Sequence, residues 1–241
     1  MTGAEGGPQT REGLLNQECF CITLDRRQLD AALGEAAADH ELGALLAQRQ
    51  HLFSNSPVFI SKHDLATMLS VVRAIERVAE TPLYRKHVLG WAPEIAQKDF
   101  GPRGAFMGYD FHLGRSGPRL IEVNTNAGGA FLNAVLARGQ SACCREAKEA
   151  LGSDEAEGFD AKAWAMFMAE WQVQGRSGQP RSVAIVDERP KEQYLYPEFR
   201  LAQSMFERRG LHAVITDPAE LSYEASTLTH HGRRIDLVYN R

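Results

Sequence analysis

Asp110, Glu122 and Asn124 are the residues of this sequence whose types and spacing suit one piece of chemistry. Glu122 and Asn124 lie two apart in Leu120-Ile121-Glu122-Val123-Asn124-Thr125, which reads as a strand. Side chains two apart on a strand share a face. Phe106 to Leu113 reads as a partner strand across a Gly114-Arg115-Ser116-Gly117-Pro118 turn. If all of Gly114 to Pro118 forms the loop, Asp110 lies opposite Glu122; a loop one residue shorter puts Tyr109 there, and both readings stand open. Two carboxylates and an amide oxygen on one face suit Mg²⁺, a hard cation that takes oxygen ligands and often substrate phosphates as well. An exposed Glu and a turn-forming Asn would explain Glu122 and Asn124 without a metal. The company of Asp110 and of a Gly-Gly turn favours the metal.

The strand runs into Asn126-Ala127-Gly128-Gly129, a turn that exposes its backbone beside those ligands. Ala130 to Arg138 reads as a helix starting just past Gly129, and the free N–H groups of a helix start form an anion site. The glycines do not fit the dinucleotide-binding or P-loop spacings, so neither reading follows.

Several elements must position these residues. Residues 12–51 carry a partial helical leucine stripe. Ser61 and Asp64 form a capping box with Asp in place of Glu, opening a helix to about Glu80 whose buried face is Leu65, Met68, Leu69, Val72 and Ile75. Thr81-Pro82 ends it, and a short piece follows to Leu89. Residues 141–151 read as a short helix. Asp160 caps another, with Trp164, Phe167, Met168 and Trp171 on one face. Residues 174–180 form the clearest linker.

Beyond it the pattern changes. Ser182 to Val186 is a buried strand, and Pro197 to Arg209 is a helix with Phe199, Leu201, Ala202, Met205 and Phe206 inward and Gly210 as its stop. His212 to Ile215 is a second strand, a hairpin surrounds His230-His231-Gly232, and Ile235 to Tyr239 is a further strand. Strand–helix–strand of these lengths implies a parallel βαβ unit. Ligands bind beyond the carboxyl ends of such strands, which puts Asp187, Glu188 and Arg241 at a ligand edge, with a solvated charged loop as the equal alternative for Asp187 and Glu188.

A net charge of −4 gives no support to nucleic-acid binding. No apolar run has the length of a membrane helix. Cys19, Cys21, Cys143 and Cys144 have poor zinc spacings and read as reduced, structural thiols of a cytoplasmic protein.

Asp110, then Glu122 and Asn124, then a glycine turn and a helix, resembles the circularly permuted ATP-grasp ligases. Glutathionylspermidine synthase and the eukaryotic-type glutathione synthetase belong to that family. The string Ile121-Glu122-Val123-Asn124-Thr125 is similar to both, as is the style of Val183 to Asp187, Ala213 to Pro218 and Ile235 to Arg241. The resemblance covers residues 55–241. It implies an α/β (α+β) chain: a partial, circularly permuted ATP-grasp fold with an inserted Rossmann-like parallel sheet. The divisions are then a disordered tail over 1–12, an ATP-grasp-like portion over 13–178 and a substrate unit over 179–241.

The implied activity is ATP- and Mg²⁺-dependent ligation of a carboxylate to an amine through an acyl phosphate, on a small amino-acid or peptide substrate. Asp110, Glu122 and Asn124 would hold Mg²⁺ on the nucleotide phosphates. Asn126, Ala127, Gly128 and Gly129 would touch a peptide-like substrate, and Arg241 falls where the glutathione synthetase branch has a substrate arginine. The family's phosphate-contacting arginine, two residues before the motif aspartate, is replaced by Gly108, with Arg103 nearby. The strand at the end of the sequence, with no covering helix after it, reads as the N-terminal part of a longer protein. The rival reading is a non-catalytic binding module of the same fold.

Overall fold

A computed structural model describes residues 13, 14, 16, 22–24, 26–37, 40–47, 49, 52–54, 58–114, 116–142 and 158–241. In chain order the elements are β1 (Ile22–Leu24), α1 (Arg26–Ala37), α2 (His40–Ala47), α3 (Lys62–Ala79), α4 (Pro82–Leu89), β2 (Gly108–Gly114), β3 (Gly117–Asn124), α5 (Ala130–Gly139), β4 (Gln140–Ala142), α6 (Phe159–Val173), β5 (Ser182–Val186), α7 (Tyr196–Arg208), β6 (His212–Thr216), β7 (Leu221–Glu224), β8 (Thr227–His230), β9 (Arg233–Arg234) and β10 (Leu237–Asn240). The chain is thus a mixture of helix and sheet. It divides into two compact units, one formed by Met1–Phe20, Ser56–Phe100 and Met107–Thr125, the other by Cys21–Asn55, Gly101–Phe106 and Asn126–Arg241.

In the first unit, local chemistry sets the helix ends. The Ser61 hydroxyl accepts from the Asp64 amide at 2.9 Å, the N-cap half of the box expected from sequence, while the Asp64 carboxylate accepts the Ser61 hydroxyl at 2.8 Å rather than the Ser61 amide. Thr81 accepts from the Tyr84 amide at 3.3 Å and Pro82 opens α4, since proline suits the first helical position. Helix α3 packs against β3. Its apolar stripe is less covered than its spacing suggests: Met68, Val72 and Ile75 are half-buried, while Leu65 and Leu69 remain 49% and 44% exposed. The sheet beside it has two strands, and no described residue of this unit is fully buried.

The second unit holds the core. Its three-stranded sheet, in the order β10-β5-β6, is parallel throughout, and β5–α7–β6 is the βαβ unit read from the sequence. All of β5 is buried, as expected of a central strand covered on both faces. Helix α7 presents Phe199, Leu201, Ala202, Met205 and Phe206 to the core and stops at Gly210, whose φ of +85° glycine adopts without strain. Phe167 of α6 meets Phe206 at 4.9 Å and Tyr239 of β10 at 5.1 Å, both edge to face. Each such buried aromatic contributes about 1.5–3 kcal/mol of burial free energy. Helix α5 approaches α1 closely: a Cβ on Gly139 would sit 2.9 Å from Leu29 Cβ.

An antiparallel meander, β7-β8-β9, completes the unit. His231-Gly232 forms the turn of the hairpin seen in the sequence, both residues at positive φ. Three expectations need correction. Asp160 is the second residue of α6 rather than its cap, which is Gly158 with no side-chain cap bond, and its carboxylate accepts from Arg208 at 2.6 Å. The stretch 12–51 is interrupted by β1, which pairs antiparallel with β4 at Gln140–Ala142, so the 141–151 segment begins as strand rather than helix. The rest of that segment, and all four cysteines, lie outside the described residues. Among the described residues no helix is long and apolar enough to cross a membrane.

Candidate functional site

In the first unit, β2 and β3 pair antiparallel with Gly114 opposite Gly117. Continued regularly, that register would set Ile121 against Asp110. A bulge between Asp110 and Phe111 on the ladder adds one residue to β3, and Asp110 lies opposite Glu122 instead. The pairing left open by the sequence is therefore the aspartate one. Asn124 follows two residues on, opposite Gly108.

All of Asp110, Glu122 and Asn124 are exposed. Directly opposed residues of an antiparallel pair have Cβ atoms about 4.5–5.5 Å apart, so two carboxylates there repel and one cation can reach both. On the neighbouring face, burial first and then Glu76 push the Tyr109 hydroxyl above its ordinary range.

In the second unit, the Asn126–Gly129 turn is fixed at both of its central peptide groups. The Ala127 amide donates to the Phe106 carbonyl at 3.1 Å, and the Ala127 carbonyl accepts from Arg241 Nη1 at 2.8 Å. Gly129 has φ +94°, and its carbonyl accepts the Asn133 amide at 2.8 Å to start α5. The anion site at this helix start is filled from within the chain. Glu198, with no exposed surface, accepts the Phe131 amide at 3.2 Å and the Leu132 amide at 3.0 Å. Burial pushes its carboxyl above the usual range, against the pull of those amides and the Arg241 charge.

Arg241 is held as a fork. Its Nη1 also donates to the Tyr239 hydroxyl at 3.2 Å, and its guanidinium lies 5.4 Å from the Tyr239 ring and 5.8 Å from that of Phe199. Its Nε is buried and has no hydrogen-bond partner among the described residues. Burial raises the Tyr239 hydroxyl to about 12, so Tyr239 stays neutral beside this cation. Gly128 leaves room for the fork: a Cβ there would lie 2.5 Å from Arg241 Nη2 and 2.6 Å from Leu195 Cδ1.

The remaining sequence-derived residues are less drawn together. Asp187 pairs through its amide with the Thr216 carbonyl at 3.2 Å, and the Glu188 carbonyl accepts from Gln193 Nε2 at 2.7 Å. Both stand at the carboxyl edge of the parallel sheet, as expected. The Arg103 amide donates to Glu170 at 2.8 Å in the second unit, whereas Asp110 belongs to the first.

The sequence assigns no role to two residues that the structure holds by backbone amides, Glu198 and Asp217. Glu198 lies on the inward stripe of α7, three and four residues before Leu201 and Ala202, and that spacing was the available signal. Asp217 follows β6 and accepts the amides of Arg189 and Ala219 at 2.8 and 2.9 Å, which hold its carboxyl below the usual range. Comparison with protein-family models and with curated proteins finds no match for the chain.

Proposed function

We propose that the chain carries the metal-binding hairpin and the substrate unit of an ATP- and Mg²⁺-dependent carboxylate–amine ligase working through an acyl phosphate. One observation carries this reading: Asp110 opposes Glu122, with Asn124 two residues further along the same strand. The donor set fits Mg²⁺, since all three side chains offer oxygen and their exposure leaves coordination positions for water and phosphate. Bound with ATP, Mg²⁺ would neutralise phosphate charge and polarise the transferred group. Asp110 and Glu122 supply the negative charge that holds the metal, and Asn124 adds a neutral donor.

In the second unit, Arg241 supports recognition of a substrate carboxylate. Its Nη1 is held by Ala127 and Tyr239, which fixes the orientation of the guanidinium. The peptide-like substrate of such a ligase would run along Asn126–Gly129, where Gly128 keeps the backbone close to the guanidinium.

The test is Mg·ATP binding by Glu122→Ala and Asn124→Ala. Each should weaken it by at least about tenfold, or roughly 1.4 kcal/mol. Unchanged affinity in both would remove the metal assignment. Gly108, in place of the family's phosphate arginine, favours the second reading, a binding module without chemistry. That reading predicts Mg·ATP binding with no phosphate released in the presence of any amino acid or amine.

A further inference from the structure

A cleft of about 440 Å³ opens at the carboxyl edge of the parallel sheet, lined in part by Arg189, Lys191, Asp217, Glu220, His230 and His231. Three of these side chains converge. Glu220 ends the short turn after β6, His230 ends β8, and His231 is the first residue of the β8–β9 turn. One ligand atom from each lies within 4.8 Å of those of the other two. Glu220 Oε2 is 3.7 Å from His230 Nε2, and the two imidazole centroids are 4.1 Å apart. Donors about 2.0–2.2 Å from a zinc ion stand roughly 3.5 Å from one another in a tetrahedron, so the Glu220–His230 pair is already close to ligating distance.

We propose that Glu220, His230 and His231 bind one transition-metal ion of the zinc type, with a further coordination position open to the cleft. Two imidazoles and one carboxylate select zinc, cobalt, nickel or copper over the hard Mg²⁺ and Ca²⁺. Three protein ligands with a fourth position free is the pattern of exchangeable, catalytic sites rather than closed structural ones.

The surroundings orient the donors. The Thr216 hydroxyl, 1% exposed, donates to Glu220 Oε2 at 2.7 Å, the outer contact that fixes a ligating carboxylate. Of the cations on the cleft wall, Arg189 is paired with Glu192 at 3.0 Å, and Lys191 suits an anionic co-ligand, a carboxylate or phosphate, at the open position.

The test titrates the whole chain with Zn²⁺ by calorimetry and with Co²⁺ by visible absorption. One saturable site is expected for each metal. His230→Ala and Glu220→Gln should each weaken it by at least about tenfold and remove the Co²⁺ d–d bands. His231→Asn should do the same with an unchanged circular dichroism spectrum, because Asn accepts the left-handed turn. No saturable binding by the wild-type chain, or equal affinity in the folded His231→Asn variant, would overturn the assignment.

Discussion

Glu198 shows how a single buried charge organises the second unit. It has no exposed surface, caps the start of α5 with both oxygens and lies under the charge of Arg241. Burial raises its folded-state carboxyl above 4.5, so between those values the folded chain keeps a proton that the unfolded chain has lost. That contribution to stability is complete below pH 4.5 and disappears as pH rises through the folded value. Glu198→Gln cannot titrate and loses one amide bond at every pH. Urea unfolding across a pH series should therefore show the gap between wild type and variant narrowing as pH rises, and a constant gap would contradict this. Gly128→Ala drives a methyl group into Arg241 Nη2 and Leu195 Cδ1. It should cost about 1–3 kcal/mol in the same measurement, by overpacking. At this scale the sequence was half legible. The inward stripe of α7 is visible, but nothing local marks Glu198, because its amide partners are 66 and 67 residues away.

Elements were more legible where their causes are local. The Ser61 N-cap is written in four consecutive positions, and the structure forms it. Ser61→Ala should cost about 1 kcal/mol and reduce the helical signal of α3 before the main unfolding step, as circular dichroism would show. An unaltered melt would mean that α3 does not depend on its cap. The parallel βαβ unit was likewise readable, since the short, β-branched run Val183-Ala184-Ile185-Val186 lies between turn signals and is followed by a helical stripe and a second such run. The bulge in β3 was not. Nothing in Leu120-Ile121-Glu122 marks an extra residue, yet that residue decides whether Asp110 or its neighbour faces Glu122. The pairing β1–β4 escaped for another reason: each strand is three residues long, and their partners are separated by more than a hundred positions.

At the scale of the whole molecule, burial is uneven. Every fully buried described residue belongs to the second unit, while the first keeps large apolar side chains such as Val58, Leu83, Trp91 and Ile95 at 68–80% exposure, Val58 being 69% and Trp91 73%. Local stability follows apolar burial, so amide hydrogen exchange should be slowest in β5 and α7 and much faster in α3, β2 and β3. Equal protection of both units would contradict that distribution. The ligand proposals fall on the two units separately: oxygen donors on the hairpin of the first, an arginine fork and a His-His-Glu cluster in the second. The most direct test of the ligase reading is calorimetric titration of the chain with ATP, with and without Mg²⁺, for wild type and Glu122→Ala. Binding that requires Mg²⁺ and falls by at least about tenfold in Glu122→Ala is the expected result. ATP binding that is indifferent to both the metal and Glu122, or no ATP binding at all by this chain, would contradict a nucleotide-metal site on the β2–β3 hairpin.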